Sequence, residues 1–458
     1  MVGICGLSVD KTRRESFPGD LFLGTFYQQH LDQDWSGLAV INGEEIKCES
    51  YPGLFRVNFE EKIKDFEGSL GIGYCGLARE PLKKVTKIGK LAACFSGNIQ
   101  NCQELQERLL NQGVIFSDRR GNDLDIEVII NLITQEESLV EGIKKMTEEK
   151  KIKGTYTLLV LTKEKIVAAR HPNGQWPLIL GKKEGSSIVA SSSVGFSNLG
   201  FKIVKDLKPG EIISLQDGEW KQEALIPTER VQNCTFWWLY YDDPFGIREG
   251  IPAYQVREKL GANLAKKDIE RGNIPDIIST EPASGTSYAL GYNTEFLQQA
   301  KKKKIEIEEI PLLDEVLIKY GYAHRSFTWT KSEKREWEAE IKHFSKPRDQ
   351  RGKSLALLDD SIVRGTTKQK VIRKVRTQGF KEIHLRIGSP EIWSNCPWKK
   401  GLEKGEPLAS RIPSLRERAK FLEVDSLEHN SLEDLFKVFE EDGLARDSLC
   451  VDCFLSPK

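Results

Sequence analysis

At 458 residues the chain is longer than one hydrophobic core usually serves, so two domains are expected. Hydrophobic residues make up 39%, enough for packed cores, and 68 basic against 68 acidic side chains leave no net charge, so no global field recruits nucleic acid or an anionic membrane. No run of about 18 uncharged apolar residues occurs, and the opening MVGICGLSVDKTRRE lacks a secretory apolar stretch, so a cytoplasmic protein is expected, with nine scattered cysteines buried or on a metal rather than in disulfides.

To about residue 230, short apolar runs such as SGLAVI, GTYTLLVL, KIVAAR and SSIVAS are bounded by Gly, Pro, Asn and charged turns. They predict an antiparallel β-rich layer, with helical segments at QNCQELQERLLNQ and DIEVIINLITQEESLVEGIKKM. LKPGEIISLQDGEW, with its PG and DG turns, predicts hairpins closing the domain.

From about residue 235 the pattern changes. Helix-like YQVREKLGANLAKKDIERG and TEFLQQAKKKK alternate with the strand candidates IPDIIST, SLALLDD and EIHLRIGS, which predicts a doubly wound α/β domain with a parallel sheet. The charged stretch from Lys331 to Lys353 has few apolar anchors and is the candidate for a mobile excursion over a site.

SLALLDDSIVRGTTKQKVIRKV carries the most chemistry. An apolar strand runs into Asp359 and Asp360, then a loop of Ser361, Arg364, Gly365, Thr366 and Thr367, then a basic helix. Unmatched backbone N–H groups at the helix start, the two threonine hydroxyls and the helix dipole can cradle a phosphate, and Gly365 permits close approach. The paired carboxylates stand where a ribose diol or its Mg²⁺ would lie. An ordinary N-capped helix explains the cap but neither the second Asp nor the Arg-Gly-Thr-Thr run.

LALLDDSIVRGTT resembles the phosphoribosylpyrophosphate loop of type I phosphoribosyltransferases, in the form used by the glutamine phosphoribosylpyrophosphate amidotransferases of purine biosynthesis. The resemblance covers nearly the whole chain and implies two domains: residues 2–230, an N-terminal-nucleophile-type αββα sandwich, and residues 231–458, a type I phosphoribosyltransferase-like doubly wound sheet. PASGTSYALGY, with Ser284, Gly285 and Thr286, resembles the pyrophosphate loop, though Ala283 replaces an acidic residue. The resemblance implies Mg²⁺ on Ser284, Asp359 and Asp360. VLIKYGYAHRSF resembles the segment that folds over the substrate, keeping Lys319 and Arg325, with Tyr320 and Gly321 replacing Asn-Arg; IKHFSKPRD keeps Lys342 of a Lys-x-Asn element.

Cys450 and Cys453 form a CxxC pair, by itself compatible with zinc, a redox pair or coincidence. Together with Cys234 and Cys396 they match, in order and context, the ligands of a [4Fe–4S] cluster in one branch of that family. Four thiolates suit such a cluster or zinc, and Trp237, Trp238, Trp393, Trp398 and Phe454 supply an apolar shell. Cys5, Cys48, Cys75, Cys94 and Cys102 are expected to pack as small hydrophobes.

The family's first domain begins Cys-Gly-Ile-x-Gly-Ile, its thiol attacking the glutamine amide. Aligned on Gly3 and Gly6, this chain puts Val2 at the nucleophile; a rival register uses Cys5 after loss of four residues. The usual Arg-Gly after His30 is Leu31 and Asp32, with Gln33 kept. Gly76 replaces the arginine that clamps the glutamine carboxylate, and Arg79 is the nearest substitute; Ser96 replaces the oxyanion asparagine, while Gly97 remains. Asp125 matches the residue that holds the substrate amine, whereas His171, Trp176 and Ser192 replace Asp, Arg and Glu.

The first half is therefore expected to survive as a scaffold. Phosphoribosyl transfer to ammonia, or to an amine from another protein such as an active amidotransferase, is one expectation, with the chain assembled as a dimer or tetramer. The alternative is a pseudoenzyme sensing phosphoribosylpyrophosphate or a nucleotide for a regulated partner. A third reading, with Cys5 processed and glutaminase intact, ranks behind both.

Overall fold

The computed structural model describes residues 1–149, 152–303, 310–320, 343–346, 349–398 and 407–456, and element counts refer to these. The first half forms two antiparallel sheets. One has seven strands in the order Lys202–Asp206, Ile179–Lys183, Ser186–Ala190, Gly3–Val9, Leu70–Gly76, Trp35–Asn42, Glu45–Pro52; the other has six, from Glu219–Leu225 across Gly154–Thr162 and Gly89–Ile99 to Leu82–Thr86.

Period-two alternation decides the layers. Ile4, Ile72 and Leu180 of the first sheet meet Ala92, Cys94 and Leu159 of the second in one buried cluster. The opposite face of the first sheet, Cys5, Leu7 and Val9, packs on Phe17 and Leu21 of the helix Phe17–Phe26. Leu91, Ala93 and Phe95 of the second sheet pack under three further helices. The result is helix, sheet, sheet, helix.

Two details differ from the sequence expectation. The helix Phe17–Phe26 is additional to the two predicted segments, its apolar residues being spread around it rather than confined to a stripe. The second predicted segment divides into Leu124–Ile133 and Leu139–Glu148, because the Ser138 hydroxyl accepts from Glu141 N and starts a new helix. The predicted hairpin joins Glu211–Gln216 to Glu219–Leu225 through Asp217 and Gly218, both at positive φ, as its tight turn requires.

In the second half, five strands align in parallel in the order Leu312–Leu313, Ile277–Thr280, Ser354–Asp359, Glu382–Ile387, Ser426–His429. The helices Ala253–Glu270 and Thr286–Lys303 pack against it. Arg386 grips Asp268 with two bonds of 2.6 and 2.7 Å, and Tyr292 Oη adds a third at 2.6 Å, tying helix to sheet in a buried pair. Removing one partner of such a pair costs about 3–5 kcal/mol.

The halves meet through buried Arg170 and Arg248, which both donate to Asn233 Oδ1, at 2.9 and 2.7 Å. Arg248 stacks over Trp238, 4.6 Å from its centroid. No described helix is long and apolar enough to cross a membrane.

Candidate functional site

Strands Ile277–Thr280 and Ser354–Asp359 are direct parallel neighbours, so the loops that follow them emerge together. Glu281 N donates to Leu358 O, and Gly285 lies so close that a Cβ there would sit 2.3 Å from the same carbonyl. Ser284 Oγ donates to Asp359 Oδ1 at 2.8 Å, which joins the two predicted loops. Gly365, at φ 81°, caps the helix Thr366–Arg376, with Thr366 and Thr367 exposed at its start. Ser361, Arg364 and Thr286 line the same end of the sheet.

The Asp359 pair holds more than the sequence suggested. Lys368 Nζ bonds both Asp359 Oδ2 and Glu281 Oε2, and all three groups are buried. Burial pushes the Asp359 carboxyl up, but the Lys368 ammonium and the hydroxyl of Ser284 hold it below the usual range. Burial and then the Asp359 charge push Asp360 well up, and Ser361 Oγ donates to it. Despite burial, the two carboxylates hold Lys368 above the usual lysine range.

The set Ser284, Asp359 and Asp360 thus does not fit a resident Mg²⁺. Asp359 already accepts on both oxygens, and among the described residues no group of three or more His, Cys, Asp or Glu side chains is arranged to hold a metal ion. Lys319 lies on a ribbon, Leu317–Lys319 with His343–Ser345, anchored to the sheet by Val316 N on Ser279 Oγ at 3.0 Å. Arg325, Gly321, Lys342 and most of the predicted excursion lie outside the described residues.

Lys368 and Glu281 were missed by sequence reasoning. The signal was available: Lys368, Val371, Ile372 and Val375 form the buried face of their helix, so a lysine stands on an apolar stripe.

The four predicted cysteines lie near one another at the junction, but they too are not arranged around a metal position in this structure. Cys234 and Cys450 are register partners in the short parallel pairing of Asn233–Cys234 with Leu449–Cys450. Cys453 O accepts from Trp393 N and Ser394 N at 2.9 and 3.2 Å, which draws Cys396 to the same place. Burial pushes the Cys234 and Cys453 thiols up; Cys450 and Cys396 add to it at Cys234, and Cys234, Cys396 and Cys450 add to it at Cys453. Cys450 rises to about 11, mainly through burial. Trp237, Trp238 and Phe454 are buried in the surrounding cluster, and Trp398 packs against it.

At the other candidate site, Val2 O accepts from Ser96 Oγ at 2.8 Å, and the Met1 amino group lies 3.5 Å from Asp32 Oδ2, both buried. Burial, then Asp32, pushes Asp34 up to about 6. Tyr74 Oη occupies the space beside Gly76, where a Cβ would meet it at 2.3 Å, and accepts from Ala78 N. Arg79 is exposed, and its backbone N–H donates to Asp123 Oδ1 at 2.7 Å. Asp125 is buried. With residues 1–4 before it, Cys5 sits mid-strand opposite Ala190 and Gly73, and burial pushes its thiol up to about 12.

The helix, sheet, sheet, helix sandwich followed by a parallel sheet with its phosphate loop defines a glutamine amidotransferase-type domain of the N-terminal-nucleophile architecture joined to a phosphoribosyltransferase-type domain. A family model described as a glutamine amidotransferase domain matches residues 72–197. The amidophosphoribosyltransferase of Methanocaldococcus jannaschii is 30% identical, over 98% of this chain and 96% of its own. That of Methanothermobacter thermautotrophicus is 30% identical over 98% and 93%. The solved glutamine phosphoribosylpyrophosphate amidotransferase of B. subtilis, complexed with ADP and GMP, superposes with a TM-score of 0.83 at 26% identity, covering 99% of this chain and 96% of that one. The chain belongs to the amidophosphoribosyltransferase family.

Proposed function

We propose that the chain binds phosphoribosylpyrophosphate between loops 281–286 and 359–367 and transfers the phosphoribosyl group to ammonia, or to an amine supplied by another protein, without a glutaminase of its own. Residues 2–230 and 231–458 are its two domains. The carrying observation is the Ser284 to Asp359 bond, which brings the pyrophosphate-type loop and the helix N-terminus to one end of one sheet. There the backbone N–H groups of 365–367 and the Thr366 and Thr367 hydroxyls receive the 5′-phosphate. Gly285 lets its loop lie against the Leu358 carbonyl, and the pyrophosphate bound by that loop departs as the amine bonds to C1. No step is routed through a resident metal.

Three features support a lost glutaminase: Val2 has no nucleophilic atom, Ser96 Oγ is spent on the Val2 carbonyl, and Tyr74 Oη occupies the space where a side chain at Gly76 would start. The test is pyrophosphate release from phosphoribosylpyrophosphate with ammonium, and none with glutamine as sole nitrogen source.

A sensor reading is favoured by two observations: Lys368 already engages Asp359, and Ala283 brings no carboxylate to the pyrophosphate loop. The B. subtilis relative was solved with ADP and GMP, so nucleoside phosphates are the ligands to try. Binding without release of pyrophosphate under any amine would select this reading.

The proximity of Cys234, Cys396, Cys450 and Cys453 supports a [4Fe–4S] cluster. Cys453 is pushed up by Cys234, Cys396 and Cys450 together, so four thiolates at this place require a cation among them, as a cluster or zinc would supply. When bound, it would tie the C-terminal tail to the junction.

A further inference from the structure

Three carboxylates, Glu281, Asp359 and Asp360, face one another at the end of the sheet that, on the function proposed here, receives a polyanionic sugar phosphate. Such a cluster repels its ligand unless a positive charge stands within it. Lys368 stands there. It lies in the first turn of its helix, the positive end of the helix dipole, where a lysine is electrostatically unfavourable, and on a face otherwise made of Val371, Ile372 and Val375. Only the bonds to Asp359 and Glu281 account for an ammonium in that position. An ammonium has three donors and no acceptor; two are used on the carboxylates, which leaves one for a ligand oxygen.

We infer that Lys368 is the cation of the phosphoribosyl site: its ammonium, held by Glu281, takes the Asp359 carboxylate that a divalent ion would otherwise use, so the site binds a 5-phosphoribosyl group without a resident metal ion. Each Asp359 oxygen already accepts a bond, from Ser284 and from Lys368, and Ser361 donates to one oxygen of Asp360, so a metal would compete with three donors for these carboxylates. Lys368 is a positioning and specificity-determining residue. It orders the carboxylates and sets which cation the site requires.

The test uses full-length protein, Mn²⁺ followed by electron paramagnetic resonance, and calorimetry with phosphoribosylpyrophosphate in Mg²⁺ or EDTA. The wild type should show no tight Mn²⁺ site in the second domain, and Lys368→Ser should gain about one per chain, while Lys368→Arg, which keeps the charge, should not. Variants at Asp359 separate this signal from metal held elsewhere, since Lys368→Ser with Asp359→Asn should lose it again. Removing Mg²⁺ should change the wild-type Kd less than about threefold and the Lys368→Ser Kd by about tenfold or more. A tight Mn²⁺ site in the wild type abolished by Asp359→Asn, or an equal metal dependence in wild type and variant, overturns the inference and leaves the proposed function standing. If no phosphoribosyl ligand binds under any condition, the proposed function fails, and the Mn²⁺ arm alone decides whether Lys368 excludes a metal.

Discussion

Cys234 and Cys450, 216 positions apart in sequence, face each other directly across a parallel pairing only two residues long. Thr235 Oγ1 adds a bond of 2.8 Å to Cys450 O, and Trp393 N and Ser394 N hold Cys453 O, so residues 449–453 are stitched to the domain junction. So short a pairing is weak unless something else fastens it.

Anaerobically prepared protein should therefore be brown, with about four irons per chain. Cys450→Ser should bleach it and make the tail after Leu449 sensitive to protease. A colourless, zinc-loaded preparation would reject the cluster assignment.

Asp359→Asn with Asp360→Asn should abolish pyrophosphate release and leave the buried Lys368 with Glu281 alone. Losing one partner of a buried ion pair costs about 3–5 kcal/mol, so the urea midpoint should fall as well. Unchanged turnover in the double variant would remove these carboxylates from the chemistry.

Incubation with glutamine should yield no glutamate, and Val2→Cys should not restore it by itself. Without its oxyanion amide an amidase loses on the order of 10²–10³ in rate, and here Ser96 bonds the Val2 carbonyl and Tyr74 Oη occupies the space where a side chain at Gly76 would start. A clear glutaminase rate in the unmodified protein would overturn the scaffold reading of the first half.

Stability should fall on mild acidification, in part through His171. Burial lowers its pKa from 6.5 to about 4, its Nδ1 accepts from Asn173 N at 3.2 Å, and its ring meets Tyr156 edge-on. The folded state binds the proton less well than the unfolded chain, so stability present above pH 6.5 is lost as the pH falls toward 4. The loss reaches roughly 3 kcal/mol for this group. In His171→Gln that part of the slope should vanish from thermal unfolding measured across the interval; an identical slope would exclude His171 as its source.

The features legible in the sequence are those whose parts are neighbours along the chain. The strand Ser354–Asp359, the turn at Gly365 and the helix behind it are one continuous segment, so residue type and order were enough to place a phosphate cradle there. Period-two alternation likewise announced the sheets. The division of the second predicted segment at Ser138 was less visible, since the apolar residues on either side continue in a pattern one helix could also satisfy.

What only the tertiary structure decided are the meetings of distant groups. Lys368 looked like one more charge on a basic helix until the neighbouring parallel strand brought Glu281 to it. Cys5 fits the spacing to the segment after it at least as well as Val2 does, and only the fold shows that, with residues 1–4 in place, it lies in the middle of a buried strand. Charge and burial depend on what the fold carries alongside a residue, whereas turn geometry and hydrophobic period are properties of the chain itself. That is why the composition and order of residues fixed the architecture, while which carboxylate meets which cation had to wait for the packed domains.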